Sequence, residues 1–197
     1  MHIKVPAYTL FWRLILVIIS ASYLIHYYAN YSLMEVSSGS MENTLFEGDR
    51  IVVDTCYSVI APLGGRRHHC TPRRGQIIVF QRNKHESMMV KRVVGLSGDR
   101  IAVRYGQVFI NGKQLSEVYA HHLRNYNANN DSWPLIDRQR AKEVVVPEDS
   151  YFVLGDNREL SADSRVLGPI SSRMIIGVVA YRLDVVSNLK GWTRSKL

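Results

Sequence analysis

Apolar residues follow two regimes along this 197-residue chain. From Tyr8 to Tyr28 the sequence YTLFWRLILVIISASYLIHYY is almost continuously apolar, broken by Arg13 and His26. A helix needs roughly 20 mostly apolar residues to cross a bilayer, so this run predicts an N-terminal transmembrane helix. Beyond it, apolar residues come in short Val- and Ile-rich runs: 50–53, 76–80, 88–94, 100–103, 108–110, 144–146, 151–154 and 175–181. These are too short for helices and predict strands. Asn111-Gly112 after Val108-Phe109-Ile110 predicts a tight hairpin. Gly48-Asp49, Gly98-Asp99 and Gly155-Asp156 mark further turns. Tyr119 to Lys142 is polar and aromatic without a period, and reads as an inserted loop or small lobe at about 104–146. The expected fold is mainly β: residues 1–29 form a cytoplasmic N-terminus and transmembrane anchor, and residues 30–197 a β-rich extracytoplasmic domain.

The flanks of the apolar run refine this picture. Arg13 lies near one end, where its side chain can snorkel to the interface. Trp12, Tyr23, Tyr27 and Tyr28 suit the headgroup regions. The rival reading is a cleaved signal peptide. The length of the run, and the lack of a clear small-x-small site before Ser32, favour a retained anchor. Lys4 and Arg13 precede the span and Glu35 follows it, so the positive-inside rule places the N-terminus in the cytoplasm.

The net charge of +8 suits an anionic membrane, nucleic acid, an acidic substrate or a plain basic surface. The composition excludes disordered, collagenous and repeat classes. Cys56 and Cys70 are too far apart for a redox CxxC pair. Outside the cytoplasm a disulfide is the better reading. His68 and His69 stand beside Cys70, but no second close-spaced ligand pair completes a zinc motif.

Three segments carry unusual local sequence: 37–45 just after the apolar run, 90–99, and 155–165. The first, alone, is a Ser/Gly turn of the kind that usually connects elements. In the second, a strand places Met89, Lys91 and Val93 on one face. If that face is buried, desolvation lowers the lysine pKa and a neutral amine can serve as a base. If Val90 and Val94 form the buried face, Lys91 points to solvent.

Together the segments read SGSMENTL, KRVVGLSGD and GDNRELSADSR. In this order they resemble the bacterial type I signal peptidases, whose pattern is SGSM-x-P-T-L, KRVVGLPGD and GDNR-x-x-S-x-D-S-R. RRGQIIVF, VFINGK and VPEDSYFVLGDN add weaker matches. The resemblance covers most of the chain after the apolar run and is thinnest from Val118 to Lys142. It implies that Ser40 is the nucleophile and Lys91 the base, with Ser161 hydrogen-bonded to the lysine amine. It implies an oxyanion hole from the Ser40 backbone N–H and the Ser38 hydroxyl. Asp163 and Arg165 would form a supporting ion pair, with Asp156, Asn157 and Arg158 shaping the turn. Two family prolines are replaced, by Asn43 and Ser97. Asn tolerates turn geometry, so the expected change is in rigidity.

The implied reaction is peptide hydrolysis through an acyl-enzyme, the serine–lysine variant of triad logic, with no metal or organic cofactor. The implied partners are the lipid bilayer and the signal peptides of secreted preproteins, with small residues before the cut, and no nucleic acid. The implied site is the plasma (inner) membrane, with catalysis on its outer side. Val36, Met41, Leu45 and Val90 are candidate walls of the substrate pockets, and 66–69 with Arg73-Arg74 a candidate contact for lipid headgroups. Rival readings are a self-cleaving repressor-type protease, a non-catalytic membrane-anchored assembly subunit, and a peptidase dedicated to one pilus or conjugation protein. Ser187-Asn188-Leu189-Lys190 fits SxxK, but without companion motifs it is a chance match.

Overall fold

The computed structural model describes residues 7–29, 31–55, 70–104, 106–120, 143–186 and 191–196; on the first helix, side chains are described at 8, 9 and 11–24. Cys56, the basic loop 66–69, most of the aromatic insert and the 187–190 SxxK match lie outside these residues. The N-terminal run forms helix α1, Ala7–Ala29. Most of its described apolar side chains are exposed, among them Phe11, Trp12, Leu14, Leu16, Val17, Ile18 and Ile19. Among the described residues no helix is long and apolar enough to cross a membrane. The predicted helix is therefore present, and its crossing of a bilayer is not established by its geometry.

The rest is antiparallel β. The strands are β1 (Tyr31–Glu35), β2 (Arg50–Thr55), β3 (Ile77–Phe80), β4 (Met89–Gly95), β5 (Arg100–Arg104) and β6 (Gln107–Ile110). They continue with β7 (Lys113–Gln114), β8 (Val144–Val145), β9 (Ser150–Leu154), β10 (Ile170–Ser171), β11 (Ile175–Val186) and β12 (Gly191–Lys196). A short helix α2, Ser164–Leu167, lies between β9 and β10. The main sheet runs β1-β2-β11-β3-β4-β9-β10, with β12 on β11, and a smaller sheet runs β7-β6-β5-β8. Each of the eight predicted runs coincides with a strand, three of them (76–80, 88–94 and 144–146) overrunning it by one residue. β1 was not predicted, because Tyr-Ser-Leu-Met-Glu carries no Val or Ile. The Asn111-Gly112 hairpin is present: both residues have positive φ (51° and 79°), and Ile110 pairs with Lys113.

Two apolar clusters flank the motif segments around Ser40 and Lys91. Val36, Met41, Leu45, Ile51, Val53, Ile77, Val79 and Val179 pack together beneath the Ser40 turn. Val94, Ile101, Val103, Val108, Val146, Phe152 and Leu154 join the small sheet to the main one. β4 is central, paired with β3 on one side and β9 on the other. Both its faces are buried: Lys91 is 4%, Arg92 7%, and Val93 and Val94 0% exposed. The face that carries Lys91 and Val93 is buried, as the first alternative has it, and the opposite face, at Arg92 and Val94, is buried as well. The residue that caps the disulfide expectation on the described side, Cys70, is disulfide-bonded.

Candidate active site

Ser40 sits in a one-turn 3-10 segment, Gly39–Met41, that follows β1. The chain then folds back: Thr44 N–H donates to Met41 C=O (3.0 Å), and Leu45 N–H donates to the same carbonyl (2.8 Å). Met41 and Leu45 plug this turn into the core at 0% exposure. On the other side, Asn157 N–H donates to the Ser40 carbonyl (3.1 Å). Gly155 abuts both: a Cβ there would collide with the Ser161 side chain and the Ser40 carbonyl, so only glycine fits.

β4 carries Lys91 to this turn. Its Nζ lies 2.7 Å from Ser40 Oγ and donates to Val90 C=O at 2.9 Å. Ser38 Oγ lies 3.3 Å from Ser40 Oγ. Burial pushes the Lys91 amine down to about 8 from its ordinary value of 10.5, against an opposing pull from the Asp163 and Asp156 carboxylates. Each carboxylate has its own guanidinium: Arg92 contacts Asp156 at 2.6 Å and Arg165 contacts Asp163 at 2.9 Å. These pairs blunt the negative field at Lys91, so desolvation wins. A lysine near 8 has an appreciable neutral fraction at mildly alkaline pH, in hydrogen-bond reach of a serine hydroxyl.

The predicted partners divide. Asp163 and Arg165 form the expected ion pair, and Asp163 also accepts from Gly155 N–H (3.0 Å). Asp156 has a larger part than shaping a turn, since it accepts from Arg92 and from Thr44 Oγ1 (2.5 Å). Asn157 Nδ2 donates to Glu42 (2.9 Å), and Arg158 pairs with Glu117. Ser161 departs from expectation. Its Oγ is buried without a hydrogen-bond partner and makes no bond to Lys91, whose amine is directed to Ser40 Oγ and Val90 C=O. A groove of about 340 Å³ opens beside Ser40 and Lys91; Val36, Met41 and Val90 line it with Met34, Met88 and Met89. Leu45 is corrected from pocket wall to core: the Met41–Leu45 bond turns it into the cluster beneath.

Sequence reasoning missed Arg92, Thr44, Glu117, Tyr119 and Arg182. Arg92 Nη2 donates to Thr44 Oγ1 (3.0 Å), its guanidinium stacks 4.1 Å from the Tyr119 ring centroid, and Arg182 Nη1 donates to Thr44 C=O (2.9 Å). Arg92 and Thr44 stand inside the quoted motifs and were readable there. Glu117, Tyr119 and Arg182 have no local signal. Among the described residues no group of three or more His, Cys, Asp or Glu is placed to hold a metal.

The sequence model of the family described as signal peptidase, peptidase S26, matches residues 9–183. The chain belongs to this family. It is accordingly a serine endopeptidase, a hydrolase. Signal peptidase IB of Staphylococcus aureus (strain COL) is 33% identical over 164 residues, covering 79% of this chain and 78% of that protein. Signal peptidase I of Bacillus amyloliquefaciens is 37% identical over 147 residues, covering 74% and 72%. A solved signal peptidase I from Enterococcus faecalis V583 is 36% identical, covering 55% of this chain and 97% of that one, with a TM-score of 0.44.

Proposed function

We propose that this peptidase removes signal peptides from exported preproteins, with Ser40 as nucleophile and Lys91 as general base. The observation that carries the reading is a buried lysine amine 2.7 Å from a serine hydroxyl at the wall of an apolar groove. Neutral Lys91 takes the Ser40 proton as Oγ attacks the scissile carbonyl. The resulting oxyanion accepts hydrogen bonds from the Ser38 hydroxyl and the Ser40 backbone N–H, each worth roughly 3–4 kcal/mol in such sites. When the tetrahedral intermediate collapses, the Lys91 ammonium gives its proton to the leaving amine. Lys91 then deprotonates a water, which hydrolyses the Ser40 acyl ester and frees the enzyme.

The substrate lies extended in the groove. Among the described residues β1 ends the main sheet beside β2, and its outer edge is where a peptide strand would add. Small residues before the cut fit between Val36, Met41 and Val90. Helix α1, whose described apolar side chains are largely exposed, anchors the enzyme in the plasma membrane. The N-terminus faces the cytoplasm and the β domain lies outside, close to where a membrane-held signal peptide ends.

The test is cleavage of a panel of preproteins by the wild type, Ser40→Ala and Lys91→Ala in detergent or vesicles, with products identified by mass spectrometry. Both variants are expected to lose at least about 1,000-fold in kcat. Equal cleavage by all three would remove the dyad, and wild-type cleavage of a single member of the panel would make the enzyme a dedicated maturation peptidase.

A further inference from the structure

Asn43 stands where the family pattern has proline, yet its backbone is one that proline cannot adopt. Its φ is 89°, whereas a proline ring holds φ near −65°. Glu42 precedes it at φ −52° and ψ 146°, and Thr44 N–H closes onto Met41 C=O. This is a type II turn with Asn at the position that demands positive φ. The turn after the nucleophile is therefore rebuilt here, not merely loosened.

The Asn43 side chain has its own long-range partner. Nδ2 donates to the Tyr119 carbonyl at 3.1 Å, across 76 positions of sequence. Tyr119 is held in turn: its O–H donates to Glu117 (3.0 Å), Glu117 forms a buried ion pair with Arg158, and the ring lies under the Arg92 guanidinium. Arg92 directly follows Lys91 on β4. The 117–119 strap thus touches both halves of the dyad, the Ser40 turn through Asn43 and the Lys91 strand through Arg92.

Resting on the dyad reading above, we propose that Asn43 is a positioning residue. Its amide latches the Ser40 turn to the Tyr119 carbonyl, and the strap, clamped on Arg92, holds Ser40 Oγ against the Lys91 amine. A proline stiffens its own turn through its ring; here the stiffness comes from a cross-link to Tyr119 in the insert.

Two variants separate the latch from the turn. Asn43→Gly keeps positive φ accessible and removes the donor. Asn43→Asp also tolerates the turn, but sets a carboxylate against the Tyr119 carbonyl. Each is expected to lower kcat about tenfold with KM within about twofold, because displacement of a reacting group slows chemistry more than binding. In Asn43→Gly the pH midpoint should stay near the wild-type value, since the burial that lowers Lys91 is unchanged. Tyr119→Leu, which loosens the strap, should cost about as much, and Asn43→Gly/Tyr119→Leu no more than the larger single loss. Wild-type kcat in Asn43→Gly, or single effects that multiply in the double variant, overturns the latch. Those results leave cleavage by the wild type and its loss in Ser40→Ala intact, so the latch can fail without the dyad. Should Asn43→Gly lose its folded thermal transition, Asn43→Asp carries the same comparison, with wild-type kcat again overturning the latch.

Discussion

Ser40 and Lys91 reach the same point by unlike routes. Lys91 rides on a central strand with a hydrogen-bonded neighbour on each side and both faces buried. Its position follows from the sheet. Ser40 rides on a single 3-10 turn, and its surroundings are held by separate attachments: Asn157 N–H to its carbonyl, Arg182 and Arg92 to Thr44, Asn43 to Tyr119. A lysine kept out of water needs a strong scaffold to resist charging and solvation. A serine that must admit substrate needs an open turn, and an open turn needs tethers. Arg92 serves both: it neutralises Asp156 beside Lys91 and reaches Thr44 beyond Ser40.

Removing Arg92 should therefore break both routes, with the largest effect on stability. Arg92→Met leaves the Asp156 carboxylate, 1% exposed, without its cation. Loss of one member of a buried pair typically costs about 3–5 kcal/mol, to be read by chemical denaturation. The unneutralised carboxylate should also raise the Lys91 pKa and move the activity midpoint to higher pH. Arg92→Met/Asp156→Leu should regain much of the stability; a double variant as unstable as the single one would contradict the account.

The next effect is a gain. Lys91 is lowered from 10.5 to about 8 in the fold, so below pH 8 the folded state must charge a buried amine. The cost is roughly 3 kcal/mol at neutral pH, and it fades as pH rises from 8 to 10.5, where the unfolded chain also releases the proton. Lys91→Met should be inactive and more stable at pH 7, by about 1–3 kcal/mol after the lost hydrogen bonds are offset. The advantage should shrink in denaturation curves taken toward pH 10.5. A variant less stable than wild type at pH 7 would show that the amine is not strained by burial.

The smallest effect concerns the second replaced proline. Ser97 Oγ donates to Pro147 C=O (3.2 Å) in the turn that leads from β4 to β5. Ser97→Ala should cost about 0.5–1 kcal/mol in denaturation and leave kcat unchanged, because this turn is remote from the groove. A loss of kcat would extend the active-site scaffold into the small sheet.

Eight of the twelve described strands were legible because Val- and Ile-rich runs alternate with turn residues, and the Asn-Gly hairpin carries its φ requirement in its composition; β1, β7, β10 and β12 lack such runs. Ser40, Lys91, Asp163 and Arg165 were legible through the motifs around them. Ser161 was not, because a motif names a residue and leaves its rotamer open. Leu45 was misplaced because burial in the core and burial along a groove look alike in sequence. Glu117, Tyr119 and Arg182 act across 41, 76 and 138 positions, and such partners are set by the sheet and its insert, not by local pattern.

The most direct test of the dyad is the pH dependence of kcat/KM for preprotein cleavage, which reports the ionisation of the essential base in the free enzyme. The account predicts a rise with pH through a midpoint near 8, the value to which burial lowers Lys91, and its disappearance with the activity in Lys91→Met. A flat profile from pH 6 to 10, or a midpoint that survives in Lys91→Met, would contradict it.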